Sequence, residues 1–249
     1  MPAPFVALLV LLPGLALGSF LNVVVARVPR RESIVRPGSH CMSCDQPIAW
    51  YDNIPLFSYL ALRGRCRHCK VPIARRYPLV EAVTALFVVL CFWVFGLRLD
   101  AVLAAFFCCA LIAISAVDFE HRIIPNRIVL PTAAAVLAVK LLLNFSIEWP
   151  LAALAASGFL LIAALAYPGG MGMGDVKLAL LLGAMLGRNV SVALAIGLIS
   201  ALVPAAWMIA RHGAAARKMA IPFGPFLALG GLVALFLGDR MLDWYLSFM

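Results

Sequence analysis

Two aspartates stand next to long uncharged segments, and together they could hydrolyse a peptide bond. Asp118 directly follows one such segment, and Asp175 ends the glycine-rich stretch 169–175 just before another. Two carboxyl groups that meet at one depth could share a proton and activate a water molecule for attack on a peptide. Gly172 and Gly174 allow a backbone turn and the close approach of an extended substrate strand. Each aspartate alone could instead cap a helix or mark a solvated helix end.

Four cysteines have the spacing of a metal site. Cys41 and Cys44 form one CxxC pair, Cys66 and Cys69 form another, and 21 residues separate the two pairs. Each pair can offer two thiolates from one tight turn, so two turns complete a tetrahedral four-sulfur site. The pattern predicts a structural zinc ion, because four protein ligands leave no open position for chemistry. Two disulfides are the alternative, which a cytoplasmic location disfavours.

The composition indicates what kind of scaffold holds these residues. Of the 249 residues, 65% are hydrophobic and only 12% are charged. A soluble domain carries roughly a quarter charged residues and about half apolar ones, so a soluble domain is excluded, as are disordered and fibrous chains. A spanning helix needs about 20 residues, which leaves room for eight spans and one modest extramembrane region. The sequence therefore predicts an all-α polytopic membrane protein.

Eight apolar segments define the predicted organisation, and seven or nine spans are the alternatives. All should be helices, because a single chain in lipid must satisfy its own backbone hydrogen bonds and no alternating barrel pattern is present. We predict a first transmembrane helix at 1–26, a cytoplasmic zinc-binding loop domain at 27–79, and a transmembrane catalytic core at 80–249. The eight segments are 5–26, 80–97, 101–117, 128–143, 151–167, 176–186, 190–210 and 223–237.

The positive charges predict how the chain crosses the membrane. Ten of the 20 Lys and Arg residues lie in the 27–79 region, and cytoplasmic loops carry the excess of such residues. With eight spans, sixteen cations fall inside and four outside, and Arg217 and Lys218 are among the inner ones. Both termini are then periplasmic, and both aspartates lie at the cytoplasmic boundary. The chain has a net charge of +9, and its excess cations lie beside the membrane spans. This position favours contact with anionic lipid and predicts no nucleic-acid partner.

The first apolar segment could also be a secretory signal peptide. A signal peptide needs a basic front end, and no Lys or Arg precedes this segment. The segment continues apolar to residue 26 and then meets Arg27, Arg30 and Arg31. We therefore predict an uncleaved first span with its basic end inside.

The helix ends predict different roles for the two acids. Asp118 should lie near a helix C-terminus, where the dipole disfavours negative charge, and Asp175 at a helix N-terminus, where the dipole favours it. We therefore predict that Asp175 is more often the ionised base and that Asp118 more often holds the proton.

Three further polar residues lie at predicted span ends. Asn22 and Glu81 could pair across helices, and structural hydrogen bonds are the favoured interpretation for each. Lys177 is predicted to extend its charged end to the membrane interface.

Several sequence features together resemble the type IV prepilin peptidase family of intramembrane aspartic proteases. The pattern Gly-x-Gly-Asp that ends at Asp175, with Asp118 upstream, is similar to the family's catalytic motif. The resemblance covers nearly the whole chain, and such an ordered set is more specific than any one motif. The other features are 18–24 with Arg27 and Pro29, the two CxxC pairs, 77–81, and 222–226.

The resemblance implies a bifunctional enzyme of the bacterial inner membrane. It would cut the basic leader from type IV prepilins and type II secretion pseudopilins at the cytoplasmic face, with Asp118 and Asp175 as the proteolytic pair. It would then methylate the new N-terminal residue, usually Phe, with S-adenosylmethionine as methyl donor. The four cysteines correspond to the family's zinc-binding element. The donor site is not assigned by the sequence, and Gly96 and the 27–79 loop are candidates for it.

Three other functions are left open by the sequence. A peptidase without methyl transfer would use the same two aspartates. A small polytopic transporter would explain the spans and the acids, but neither the four-cysteine insertion nor the Gly-x-Gly-Asp turn. A zinc-dependent assembly factor without catalysis would explain the cysteines but not the paired acids.

Overall fold

A computed structural model describes residues 3–167, 171–213 and 221–248, with side chains from residue 7 onward. Within these ranges the chain is helical, and extended backbone pairs only in two isolated β-bridges. The predicted all-α class is confirmed. Two short 3-10 turns lie at Trp50–Asn53 and Gly187–Asn189. The helices are α1 (Ala3–Arg27), α2 (Phe57–Ala61), α3 (Arg76–Phe95), α4 (Leu99–His121), α5 (Asn126–Leu143), α6 (Glu148–Ala166), α7 (Met173–Leu186), α8 (Val190–His212) and α9 (Gly224–Leu246).

Seven helical segments of the described chain are long and apolar enough to cross a membrane. One of them, Met173–His212, has 40 residues and contains both α7 and α8. A straight helix of that length would measure about 60 Å, twice the thickness of the hydrocarbon core. The turn at Gly187–Asn189, where Gly187 has a φ of +55°, divides this segment into two helices. The eight predicted segments therefore correspond to eight helices, and the short sixth one is α7 with 14 residues.

The structure divides into two compact units, Met1–Ala113 and Ile114–Met249, and the boundary falls inside α4. This grouping places α3 and the first part of α4 with α1 and the cysteine-containing loop. Three residues singled out from the sequence lie outside the described part of the chain, namely Gly169, Arg217 and Lys218.

In the first unit, two glycines let α1 and α3 pack at close range. A Cβ atom at Gly14 would lie 2.9 Å from the backbone of α3, and one at Gly18 would lie 2.6 Å from Cα of Glu81. Glycines four residues apart share one helix face and allow helix backbones to approach in membranes. The antiparallel pair therefore brings the C-terminal end of α1 beside the N-terminal end of α3.

Asn22 and Glu81 form structural hydrogen bonds at this end of the helix pair. The amide Nδ2 of Asn22 donates to the carbonyl oxygen of Tyr77 at 3.1 Å. The Oε2 atom of Glu81 accepts a hydrogen bond from the backbone N–H of Leu56 at 2.8 Å. Each side chain thus bonds to backbone and not to the other, and Glu81 ties the loop to α3.

In the second unit, the short helix α7 is buried by its neighbours. It packs against α5, α6 and α9, and nearly every residue from 178 to 186 is buried. Gly183 lets α7 lie directly against the backbone of α6 at Ala153. This packing fixes the N-terminal end of α7, which carries Asp175.

Candidate active site and metal centre

Asp118 lies three residues before the end of α4 and is 5% exposed. Its Oδ2 atom accepts a hydrogen bond from the backbone N–H of Gly224 at 3.0 Å. Gly224 is the first residue of α9, where the backbone N–H groups have no partner within the helix. The start of α9 therefore supplies a donor that orients the Asp118 carboxyl group.

Asp175 lies in the first turn of α7 and is 8% exposed. Gly172 caps the helix, and its carbonyl oxygen accepts a hydrogen bond from the N–H of Asp175 at 3.1 Å. A Cβ atom at Gly172 would lie 3.3 Å from Oδ2 of Asp175. The absence of a side chain at Gly172 therefore leaves the backbone open beside this carboxyl group.

Ile124 contacts residues next to both acids. Its Cβ atom lies 2.8 Å from the position that a Cβ would take at Gly174, next to Asp175. Its Cδ1 atom lies 3.2 Å from the corresponding position at Gly224, which binds Asp118. The structure thus brings both predicted residues into one buried region, with Asp118 near a helix C-terminus and Asp175 at a helix N-terminus.

The sequence patterns alone do not reveal that Gly224 and Ile124 lie beside the two acids. A signal for Gly224 was available, because Pro225 marks the first turn of a helix. Lys177, two residues after Asp175, donates from Nζ to Oδ1 of Asn126 at 2.9 Å.

The four cysteines that the sequence singled out form one cluster. The Sγ atoms of Cys41, Cys44, Cys66 and Cys69 all lie within 4.8 Å of one another. The Sγ atoms of Cys41 and Cys69 are 3.7 Å apart, well beyond a disulfide bond of about 2.05 Å. A tetrahedron with Zn–S bonds of about 2.3 Å has sulfurs roughly 3.8 Å apart. The cluster therefore fits a zinc ion, and all four cysteines are free.

Two turns with the same hydrogen bonds build the cluster. The carbonyl oxygen of Cys41 accepts from the N–H of Asp45 at 2.9 Å, and that of Cys66 accepts from the N–H of Lys70 at 3.2 Å. Asp45 and Lys70 both have positive φ, at 53° and 59°. An antiparallel β-bridge closes each turn. The sequence Cys-x-x-Cys-x-x-Pro-Ile-Ala occurs in both turns, so the local structure is duplicated.

The backbone of the turns favours thiolates. The N–H groups of Ser43 and Cys44 lower the pKa of Cys41 to about 6, and those of Cys69 and His68 lower the pKa of Cys66. At Cys44 the N–H of Gln46 lowers the pKa, but burial and the neighbouring thiols raise it to about 11. One thiolate is thus stabilised, while further thiolates in the cluster are destabilised by repulsion. A bound cation would remove this repulsion.

Taken together, the helices and these two sites define a multi-pass α-helical membrane protein with a four-cysteine loop and two buried aspartates. The family model described as Bacterial Peptidase A24 N-terminal domain matches residues 12–95. The model described as Type IV leader peptidase family matches residues 105–238. The chain therefore belongs to the type IV leader peptidase family.

Curated proteins give the same result over most of the chain. A prepilin leader peptidase/N-methyltransferase of Myxococcus xanthus is 42% identical over 190 residues, which cover 74% of this chain and 57% of that protein. A protein of the same name from Pseudomonas aeruginosa is 37% identical, covering 99% of this chain and 95% of its own length. Another, from Xanthomonas campestris, is 33% identical over 94% of this chain and 92% of its own. No solved structure matches the chain.

Proposed function

We propose that the chain is an inner-membrane enzyme that cleaves the leader of type IV prepilins and type II secretion pseudopilins and then methylates the new N-terminus. The observation that carries the proteolytic half is the pair Asp118 and Asp175, buried in one region of a type IV leader peptidase fold. The methylating half is supported by the names of the relatives that align with most of the chain.

In the proposed cleavage, Asp175 is the base and Asp118 is the acid. Asp175 accepts a proton from water while the water oxygen bonds to the scissile carbonyl carbon, and Asp118 donates a proton to the carbonyl oxygen. Asp175 then passes its proton to the amide nitrogen as the C–N bond breaks, and one hydroxyl of the diol returns a proton to Asp118. The leader leaves as a carboxylic acid that ionises in water, the mature protein gains an amine, and both aspartates regain their starting protonation states. Because Oδ2 of Asp118 already accepts from Gly224, the proton that Asp118 donates is held on Oδ1.

Gly172, beside Asp175, admits the substrate, whereas the space at Gly174 is filled by Ile124. Gly172 has extended backbone geometry, with φ −79° and ψ 143°, and it carries no side chain between solvent and the carboxyl group. An extended segment of prepilin can therefore approach the backbone at Gly172 and place its peptide bond beside both acids.

Zinc and S-adenosylmethionine are the proposed cofactors. Cys41, Cys44, Cys66 and Cys69 would hold zinc, and the ion would fold the loop without taking part in chemistry. S-adenosylmethionine supplies a methyl group on a cationic sulfur, and transfer to the N-terminal amine leaves S-adenosylhomocysteine and a proton. The prepilin and the lipid bilayer are the proposed partners.

The proposed orientation follows the distribution of cations. The loop domain at 27–79 and the two acids face the cytoplasm, both termini face the periplasm, and 1–26 and 80–249 are the membrane parts. This arrangement places the basic leader of the substrate on the side where it is synthesised.

A cleavage assay tests the proposal. The purified full chain is incubated with a prepilin, with and without S-adenosylmethionine, and the product is weighed by mass spectrometry. We expect loss of the leader in both cases and a gain of one methyl group only with the donor. Loss of the leader without any methyl gain would reduce the proposal to a peptidase.

Variants of the two aspartates complete this assay. Asp118→Asn or Asp175→Asn should abolish cleavage and leave methylation of a pre-cut peptide intact. Asp100→Asn is the matched control, because Asp100 lies exposed in the first turn of the same helix as Asp118. Full cleavage by a folded Asp118→Asn or Asp175→Asn variant would refute the assignment.

A further inference from the structure

A cavity of about 480 Å³ lies in the first unit, between the loop and the facing ends of α1 and α3. Its helical wall includes Ser19, Asn22, Tyr77 and Glu81, and its loop wall includes Tyr59. Binding sites for small molecules and cofactors commonly have volumes of about 300–1,000 Å³. The cavity is therefore large enough for a nucleoside-sized ligand.

Asn22 presents a polar atom without a partner in the described structure. The residue is 4% exposed and lines the cavity. Its Nδ2 donates to the carbonyl oxygen of Tyr77, but its Oδ1 is buried and accepts no hydrogen bond. Buried polar atoms are nearly always paired, and an exception calls for a missing partner. Asn22 therefore carries an unsatisfied acceptor at the cavity wall, which an N–H or O–H group of a ligand reaches once the side chain shifts toward the cavity.

Glu81 holds the loop wall of the same cavity. It is 8% exposed and accepts the backbone N–H of Leu56, which has a φ of +59°. A non-glycine residue at positive φ is strained and persists only where its surroundings fix it. Glu81 thus acts as a positioning residue that keeps this part of the loop against α3.

The charges around the cavity do not favour a phosphate-bearing ligand. Arg27 donates to the carbonyl oxygens of Ser33 and Gly38, and Arg67 forms two hydrogen bonds with Asp52. The lining has no excess of positive charge, because its arginines are balanced by an equal number of acids, namely Arg27, Arg30 and Arg67 against Glu32, Asp52 and Glu81. Such a mixed lining suits a ligand that carries amines, hydroxyls and charges of both signs.

We propose that this cavity is the methyl-donor site and binds S-adenosylmethionine, with the Oδ1 atom of Asn22 accepting a hydrogen bond from the donor. The inference rests on the proposed methyltransferase function and assigns its site to the first unit. It also removes Gly96 as a candidate, because Gly96 follows the C-terminal end of α3. The cavity lies at the N-terminal end of α3. At 1.5 Å per residue, the two ends of this helix are more than about 20 Å apart.

Direct binding tests the site. The zinc-loaded full chain in detergent is equilibrated by dialysis with radiolabelled S-adenosylhomocysteine, the stable product of the donor. Asn22→Leu, which keeps the size of the side chain but removes the acceptor, should lower the affinity at least tenfold. Thr84→Val is the matched control. Like Asn22, Thr84 is buried and has an unpartnered side-chain oxygen, but it lies in α3 and does not line the cavity. The control should bind within twofold of the unmodified chain.

Photolabelling of the unmodified chain gives a result that does not depend on a variant. An azido analogue of S-adenosylmethionine should label peptides from the C-terminal end of α1, the N-terminal end of α3 or the loop between them. Labelling confined to residues 114–249 would overturn the site.

The outcomes separate this inference from the proposed function. If the chain methylates a pre-cut peptide while folded Asn22→Leu binds the labelled compound normally, the cavity is wrong and the methyltransferase function stands. If the unmodified chain neither binds the compound nor methylates the peptide, both the cavity and the methylating half of the function are overturned. Proteolysis by the chain would be unaffected by either result.

Discussion

The backbone N–H of Gly224 orients Asp118, and this close approach leaves no room for a side chain at position 224. A Cβ at position 224 would lie 2.7 Å from Oδ2 of Asp118 and 3.2 Å from Cδ1 of Ile124. Gly224→Ala should therefore displace the carboxyl group, and a displacement of about 1 Å can cost on the order of 100-fold in rate. We expect initial cleavage rates, measured by mass spectrometry, to fall by about that factor.

Gly38→Ala is the control for this variant, because a Cβ at Gly38 would meet nothing within 4 Å. It should cleave at the rate of the unmodified chain. A Gly224→Ala variant that keeps full activity would show that the orientation of Asp118 by α9 is unimportant.

The thiols of the loop predict how zinc affinity depends on pH. The lowered pKa of Cys41, about 6, leaves a thiolate above that pH, whereas the pKa of Cys44, about 11, means that zinc must displace a proton there near pH 7. Acid therefore competes with the metal, and affinity should rise by at least about tenfold per pH unit between pH 7 and 8. Competition with a chromophoric chelator measures this slope. An affinity independent of pH would contradict the thiolate site.

At the scale of the elements, the position of α7 depends on Gly183. A methyl group there would meet the backbone of α6 at Ala152 and Ala153, and such overpacking typically costs about 1–3 kcal/mol. Gly183→Ala should lower the thermal stability of the detergent-solubilised chain. It should also reduce cleavage more than tenfold, because the helix that carries Asp175 is displaced.

Gly158→Ala is the control for Gly183→Ala. Gly158 lies in α6, the helix that packs against Gly183, and a Cβ there would meet nothing within 4 Å. Gly158→Ala should leave cleavage unchanged, and equal effects of the two variants would contradict the packing argument.

Most of the elements could be predicted from the sequence, because each span is a local run of apolar residues. The break between α7 and α8 was also predictable, since Gly187, Arg188 and Asn189 interrupt the run. The contact between Asp118 and Gly224 was not, because 106 residues separate them and only folding brings them together. The place of Asn22 at a predicted span end indicates a hydrogen-bonding residue, but its cavity is formed by three segments, and no sequence motif marks it.

At the scale of the whole molecule, the proposed sites of the two activities lie in different compact units. The acids lie in Ile114–Met249, and the four-cysteine cluster and the cavity lie in Met1–Ala113. Removal of zinc with a chelator should unfold the loop, because the proposed ion would join its two turns. We expect loss of S-adenosylhomocysteine binding and of methylation, with cleavage retained.

Limited proteolysis verifies that the loop itself has opened. New cuts should appear between residues 28 and 75 after chelation and disappear when zinc is restored. Equal loss of cleavage and methylation, with restoration of both by zinc, would show that the metal supports the whole chain.

The length of α7 has a consequence for how water reaches the acids. Its 14 residues span about 21 Å, against about 30 Å for the hydrocarbon core. Because α5, α6 and α9 pack around α7, the missing length is bordered by protein and not by lipid. Water then approaches Asp175 along protein surfaces, and cleavage should proceed at similar rates in vesicles of short-chain and long-chain lipids.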